Sequence, residues 1–274
     1  MDRRLTHYSR LWDLRPLGKL TEDRPTSHVY KVQHEARPAV LKILTAKGMK
    51  DERHGSTALA CWRGQGAARL YRSDEGAHLL EFVNGQDCVS LVRQGQDEDA
   101  LAIIGETLAR IHGAYPAPPP ERLTALEYRF RELFDVARRL GIDPIFERGA
   151  QTAQDFLDAP LKEAVLHGDL HHENVLHSSE RGWLAIDAKG LRGETTYDGA
   201  PAVMNPNGVD HLIESPERIR SIVAILAESM GVSDQRLLRY TFAHACLSAS
   251  WSMETVTSSS PHALKMARII EPML

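Results

Sequence analysis

The chain has 274 residues, enough for one large domain or for two lobes sharing a cleft, and its 42% hydrophobic and 26% charged composition is that of a globular protein with a substantial core. A formal net charge of −4 argues against a nucleic-acid binder living on counterion release, while 33 basic residues leave enough to hold a few phosphates locally. Cys61, Cys88 and Cys246 form no C-x-x-C pair, so neither a disulfide framework nor a zinc ribbon is indicated, and a reducing cytoplasm is expected. The basic N-terminus lacks a following apolar stretch and no apolar run approaches ~18 residues, so neither export nor a membrane span is expected.

In chain order, residues 17–44 alternate short apolar runs with polar breaks, which predicts an antiparallel meander ending in Ala39-Val40-Leu41-Lys42-Ile43-Leu44. Lys42 is costly inside such a strand unless it meets an anion, although strict alternation could also turn it to solvent. Residues 50–62 read as one helix with Ala58, Leu59 and Trp62 inward and Glu52 in its first turn. The glycines of Arg63-Gly64-Gln65-Gly66 follow a helix and lack a third glycine, so a helix-ending turn is read there rather than a dinucleotide fingerprint. Two strands, 68–71 and 77–82, flank a turn and exit through Glu81-Phe82-Val83-Asn84-Gly85.

Beyond Gly85 the texture becomes helical. Residues 97–114 carry Leu101, Ile104, Leu108 and Ile111 on one stripe, residues 121–140 form a second amphipathic helix, and 151–157 a third. Ser215-Pro216 opens a helix that Gly231 ends, Ser233 opens another through Trp251, and Ser260-Pro261 a last one. Strands first and helices after imply an α+β fold of two unequal lobes.

Between these helices, residues 165–200 concentrate the chemistry. His167-Gly168-Asp169-Leu170 followed by Asn174 fits the kinase catalytic-loop pattern H-x-D-L-x-x-x-N, and Asp187 ends the next apolar run, where a second metal-binding carboxylate is needed. Asp169 is the candidate catalytic base; Asn174 and Asp187 are candidate Mg2+ ligands, brought together by a hairpin over 174–187. Lys42 then reads as a lysine gripping nucleotide phosphates, with Glu52 its candidate partner. Glu81 to Val83 reads as a hinge offering backbone groups to adenine. The link Thr21–Ser27 lies where kinases place a glycine-rich phosphate loop but holds no glycine; either Ser27, Thr26 and backbone N–H groups contact phosphate, or it is an ordinary polar turn. The competing zinc reading rests on His167, His171, His172 and His177 beside Asp169, but it leaves Asn174 without a task.

The run His167 to Asn174, the segment Trp183-Leu184-Ala185-Ile186-Asp187, Gly190-Leu191-Arg192-Gly193-Glu194 and Tyr197-Asp198 together resemble the aminoglycoside phosphotransferase family, in its streptomycin 6-phosphotransferase and hydroxyurea-resistance kinase branch. Asp51-Glu52, Trp62, Asn205-Pro206, Leu247-Ser248-Ala249 and Trp251 extend the likeness over most of the chain. The resemblance implies a protein-kinase-like bilobal fold, with a small antiparallel-sheet nucleotide lobe over 1–84 and a larger, mainly helical lobe over 85–274. It also implies ATP and Mg2+ as cofactors and phosphorylation of a hydroxyl on a small cationic or sugar-like molecule, in a cytoplasmic monomer or weak dimer. Ala188 stands where this branch has proline, and Gly168 where protein kinases have arginine. No A-P-E-bounded activation segment follows, so a constitutively assembled site is expected. Glu194 and Asp198 are expected to brace the loop through backbone hydrogen bonds. Glu173, Asp210, Glu214 and Glu254 could supply carboxylates to a cationic acceptor and Trp251 a flat wall for a sugar ring; solvated acids and a core tryptophan are the other readings. A housekeeping kinase for another sugar or amino-alcohol, or a nucleotide-binding pseudokinase, are the alternatives.

Overall fold

The computed structural model describes residues 3–22, 24–139, 141–206, 208–254 and 261–274. Helix α1 (Arg3–Leu11) precedes strands β1 (Leu14–Lys19), β2 (Ser27–His34), β3 (Arg37–Leu44), β4 (Leu70–Asp74) and β5 (Ala77–Glu81). They form one sheet of order β1-β2-β3-β5-β4 in which every neighbouring pair is antiparallel. Val32, Leu41, Ile43 and Leu79 point to one face and are fully buried, where they meet Leu5, Tyr8 and Trp12. Truncating Leu41 to alanine there costs about 2–5 kcal/mol. The meander is as the sequence predicts, but α1 was not foreseen, because Leu5 and Tyr8 are a thin stripe among basic residues.

Residues 46–62 are not one helix. They form α2 (Ala46–Asp51) and α3 (Gly55–Trp62), with Glu52 in the turn between them rather than in a first turn. The break serves close packing: a Cβ on Gly55 would lie 2.1 Å from the Ala188 carbonyl oxygen, and one on Gly48 would lie 2.0 Å from that of Thr26. Thr45 caps α2 through Gly48 N–H (3.2 Å) while its hydroxyl donates to the Pro25 carbonyl (2.6 Å). The Thr21–Ser27 link is therefore anchored at its end by α2, without needing glycine.

The second lobe contains α4 (Cys88–Arg93), α5 (Asp97–Gly113), β6 (Thr124–Ala125), α6 (Leu126–Ala137), α7 (Ile145–Asp158), β7 (Glu163–Leu166), β8 (Val175–Ser178), β9 (Gly182–Ala185) and β10 (Leu191–Glu194). Short helices α8 (Ala200–Val203) and α9 (Asp210–Ile213) lead to α10 (Pro216–Met230), α11 (Asp234–Glu254) and α12 (Pro261–Ile270). The stripe Leu101, Ile104, Leu108 and Ile111 on α5 is fully buried, as its spacing requires. Ser215 caps α10 by accepting from Arg218 N–H, with proline at the first turn and left-handed Gly231 at the end. The predicted 121–140 helix starts only at Leu126, because Thr124 and Ala125 pair with β10 in a small β6-β10-β7 sheet. The helix expected over 151–157 begins earlier, at Ile145, whose N–H bonds the Asp143 carboxylate (3.0 Å). Among the described residues, no helix is long and apolar enough to cross a membrane.

Candidate active site

The hairpin β8–β9 places the polar groups. Its register pairs Val175 with Ala185 and Leu176 with Leu184, and Ile186 N–H donates to the Asn174 carbonyl (2.9 Å), so Asn174 and Asp187 emerge beside each other from opposite strands. The Asn174 amide nitrogen donates to the Asp169 carbonyl (3.0 Å), which leaves its side-chain oxygen as a free acceptor. Asp187 has a φ of 62°, an unusual left-handed conformation for a non-glycine residue.

His167 is fully buried and uses both ring nitrogens. Nε2 donates to the Ile186 carbonyl (2.8 Å), Nδ1 accepts the Asp169 N–H (3.3 Å), and the ring lies flat against Trp62. Burial pushes its pKa down, keeping it neutral. Buried His172 is pushed down to about 3 by desolvation, and His177 packs edge-on to Trp183. The histidines therefore do not converge, and among the described residues no group of three or more His, Cys, Asp or Glu side chains could hold a metal ion. The zinc reading fails on geometry.

What converges instead is a cluster of cations and carboxylates. Lys42 bonds Asp187 and reaches Glu52 at 2.6 Å. Lys189 lies 2.8 Å from Glu52 and 3.6 Å from both Asp169 and Asp187, while Arg24 stands 3.9 Å from Asp187. Burial would raise the Asp187 pKa, but Lys42 and Lys189 outweigh it and hold the carboxyl far below its usual range. Burial likewise opposes ionisation of Asp169, and Lys189, His171 and Arg129 overcome it and hold its carboxyl below the usual range. Glu52 is lowered in the same way by Lys42 and Lys189 against its own burial. Lys189 and Arg24 carry no role in the sequence reading. Lys189 stands inside the most specific motif, two residues after Asp187, and that proximity was the available signal.

Two cavities meet at this cluster. One, of about 270 Å³, is lined by Ser27, Lys42, Glu81, Val83, Asn174 and Asp187 with Val40, Leu80, Leu176 and Ile186 as apolar walls, and with Arg24 and Glu173 at its edge. The Glu81 carboxylate pairs with Arg181 and accepts the Arg69 N–H (2.9 Å), so its side chain is occupied. The other cavity, of about 570 Å³, is lined by Lys189, Glu52, Asp51, Tyr128, Arg129, Glu132 and Trp251, with Lys47, Lys50 and Arg131 beside them. Arg129 stacks over the Trp251 ring at 4.3 Å.

The substrate candidates scatter. Trp251 lines the second cavity and Glu173 the first. Asp210 is exposed at the start of α9, and Glu214 pairs with Lys265 (2.6 Å); neither is among the residues lining the two cavities. Glu254 ends α11, and its side chain lies outside the described residues. Behind the loop, Asp198 accepts the His167 and Gly168 amides, each at 2.7 Å, and Glu194 binds Arg236 (2.6 Å).

An antiparallel sheet in the first lobe, a mainly helical second lobe and a lysine-carboxylate cluster between them define a protein-kinase-like fold. The sequence profile of the aminoglycoside/hydroxyurea antibiotic resistance kinases matches residues 11–255, and the chain belongs to that family. It is 38% identical over 245 residues to a streptomycin 3''-kinase of Klebsiella pneumoniae, covering 88% of this chain and 89% of that protein. To a streptomycin 6-kinase of Streptomyces griseus it is 28% identical over 270 residues, covering 94% of this chain and 85% of that one. Among solved structures it is similar in fold to an amicoumacin kinase in complex with AMP-PNP, Ca2+ and Ami, with a TM-score of 0.68 and 14% identity over 100% of this chain and 93% of that one.

Proposed function

We propose that this chain is an ATP- and Mg2+-dependent phosphotransferase acting on a hydroxyl of a streptomycin-like aminocyclitol glycoside, thereby conferring antibiotic resistance from the cytoplasm. The observation that carries the reading is the cluster in which Lys42 pairs with Glu52 and Asp187 and Lys189 links Glu52 and Asp187 to Asp169, with Lys42, Asn174 and Asp187 lining one cavity and Glu52 and Lys189 the other. In this reading residues 1–84 form the nucleotide lobe. Adenine lies between the apolar walls, against the Glu81–Val83 backbone, with the phosphates toward Lys42, Ser27 and Arg24. The acceptor enters from the second cavity. Its hydroxyl oxygen forms a bond to the γ-phosphorus as the bond to the bridging oxygen breaks; that electron pair leaves with ADP and the proton goes to Asp169. Positioning this base is worth roughly 10²–10⁴-fold in rate.

The free Asn174 oxygen and the Asp187 carboxylate are hard donors in small number, a set that fits magnesium. When bound, the ion would supply charge to the phosphate oxygens. The higher identity to the 3''-kinase than to the 6-kinase favours the 3'' position as the acceptor. Incubation with Mg-ATP and streptomycin should add one phosphoryl group to the drug by mass spectrometry, with phosphorus-coupled NMR locating it. No product would remove streptomycin as the substrate.

A kinase for another sugar or amino-alcohol is the second reading. Asp51, Glu52 and Glu132 at the second cavity are offset by Lys47, Lys50, Arg131 and Lys189, so its wall is not uniformly acidic as a polycation would favour. Release of ADP across a panel of hydroxylated metabolites discriminates the two. A pseudokinase is disfavoured because the chain retains Asp169 as candidate base and Asn174 and Asp187 as candidate metal ligands.

A further inference from the structure

Lys189 is held more firmly than any exposed lysine could be. Its backbone N–H donates to the His167 carbonyl (2.8 Å), and the next residue, Gly190, has a φ of 76° and sits so close to His54 that a Cβ would lie 2.1 Å from its carbonyl oxygen. The side chain is thereby delivered between the two cavities. Lys42 and Asp187 line the smaller cavity, whereas Lys189 and Glu52 line the larger one, and Lys189 stands between Asp187 and Asp169, 3.6 Å from each.

An ammonium carries three N–H donors. One is used at 2.8 Å on Glu52, while the carboxylates of Asp169 and Asp187 lie at 3.6 Å, beyond ordinary hydrogen-bond reach. Lys189 thus makes one hydrogen bond within the cluster and stands near the candidate base and the candidate metal carboxylate without bonding either. Lys42 pairs with Asp187 and Glu52 from the side of the smaller cavity, so of the two lysines it is Lys189 that stands beside the candidate base.

We infer that Lys189 is a catalytic residue whose Nζ binds the oxygens of the γ-phosphoryl group during its passage from ATP to the acceptor hydroxyl. The inference rests on the phosphotransferase reading above. The alternative is that Lys189 only neutralises Glu52.

The test compares Lys189→Met, Glu52→Gln and the double variant with the wild type, measuring kcat, acceptor KM and ATP affinity, with circular dichroism for the fold. The double variant removes both partners of the buried pair and so keeps the charge balance that the single Lys189→Met loses. Wild-type turnover first establishes the phosphotransferase reading; its absence with every acceptor would sink that reading and leave no phosphoryl passage for Lys189 to serve. With turnover present, kcat of the double variant should fall at least about 100-fold below that of Glu52→Gln, with ATP affinity within about threefold of that single variant. Partial recovery in Lys189→Arg/Glu52→Gln adds support, because it restores charge but not position. Equal kcat in the double variant and Glu52→Gln would overturn the inference and leave Lys189 as a counter-charge for Glu52.

Discussion

Through Oδ1, Asp198 accepts the backbone N–H of Gly168 at 2.7 Å, one of the bonds that hold the turn carrying the candidate base. Oδ2 of the same carboxylate takes the His167 N–H at 2.7 Å and faces His112 Nε2 at 2.9 Å. Gly168 is in the left-handed region, φ 85°, and a Cβ there would lie 2.7 Å from the Leu191 side chain, which explains why arginine cannot occupy this position in this chain. Asp198→Ala would leave two buried amides and a histidine without their acceptor, a loss of about 3–5 kcal/mol. Thermal denaturation should show a clear fall in midpoint, with Asp198→Asn intermediate. An unchanged midpoint would mean that the loop is held by other contacts.

Asp169→Ala and Asp187→Ala separate two roles. Asp169→Ala should lower kcat by roughly 10²–10⁴-fold with nucleotide affinity retained, because it removes a proton acceptor. Asp187→Ala should weaken Mg-ATP binding as well, since it removes one of the two candidate magnesium ligands and leaves Lys42, Lys189 and Arg24 without the carboxylate that gathers them. Isothermal titration with a non-hydrolysable nucleotide, alongside turnover, reads both effects. Equal loss of nucleotide affinity in the two variants would contradict the division.

Much of this was legible before the fold was known, and for a physical reason. The meander, the amphipathic stripe of α5 and the caps of α10 are local patterns, and Asp169, Asn174 and Asp187 lie close together in sequence, the last two flanking a single hairpin. Glu52 was found in the sequence but placed in a helix; only the approach of Gly55 to Ala188 shows why the helix must break there. Lys189 and Arg24 acquire meaning from partners far along the chain, 137 residues away in the pairing of Lys189 with Glu52. No periodicity reports such a separation. Asp210 and Glu214 illustrate the converse, since proximity in sequence to the catalytic half did not bring them to either cavity.

Arg24 offers a physical answer to the glycine-free loop. It lines the smaller cavity 3.9 Å from Asp187, on a segment that Thr45 and Gly48 hold in place, so a guanidinium can do from a side chain what backbone N–H groups do in a glycine-rich loop. Arg24→Ala should raise the KM for ATP by about tenfold, the scale of one charge-assisted hydrogen bond, with acceptor KM unchanged. Because Arg24 is more than half exposed, the fold should not suffer. A KM for ATP equal to that of the wild type would assign phosphate contact elsewhere.

Acid should destabilise the protein before its carboxylates titrate. Burial, with Lys42 nearby, pushes His78 down to about 4 from an ordinary 6.5, and burial with Arg129 nearby does the same to His244. Both are neutral in the folded chain, whereas the unfolded chain takes up protons at about 6.5. Proton uptake therefore favours unfolding, and stability is lost as pH falls from about 6.5 towards about 4, by up to about 3 kcal/mol per group. The depressed carboxylates, Asp169, Asp187 and Glu52, add their own loss as the unfolded chain takes up carboxyl protons, from about pH 5 downward. Denaturant midpoints measured across that range should slope downward, and His78→Gln should flatten the slope. Identical slopes in wild type and variant would show that His78 does not titrate on unfolding.

Trp251 tests where the acceptor binds. Its ring carries the Arg129 guanidinium on one side and lines the cavity that holds Lys189, so it can act as a wall for a ring-shaped acceptor while serving as a brace for Arg129. Trp251→Ala removes the wall and loosens Arg129, whereas Trp251→Phe keeps an apolar plane. The first should raise the acceptor KM by roughly 10–100-fold, with ATP affinity intact, and the second by far less, consistent with about 1–3 kcal/mol for a stacked aromatic contact. Steady-state kinetics with streptomycin varied at saturating ATP provides the measurement. If the alanine variant changes thermal stability but not acceptor KM, Trp251 is a packing residue and the acceptor does not rest on its ring.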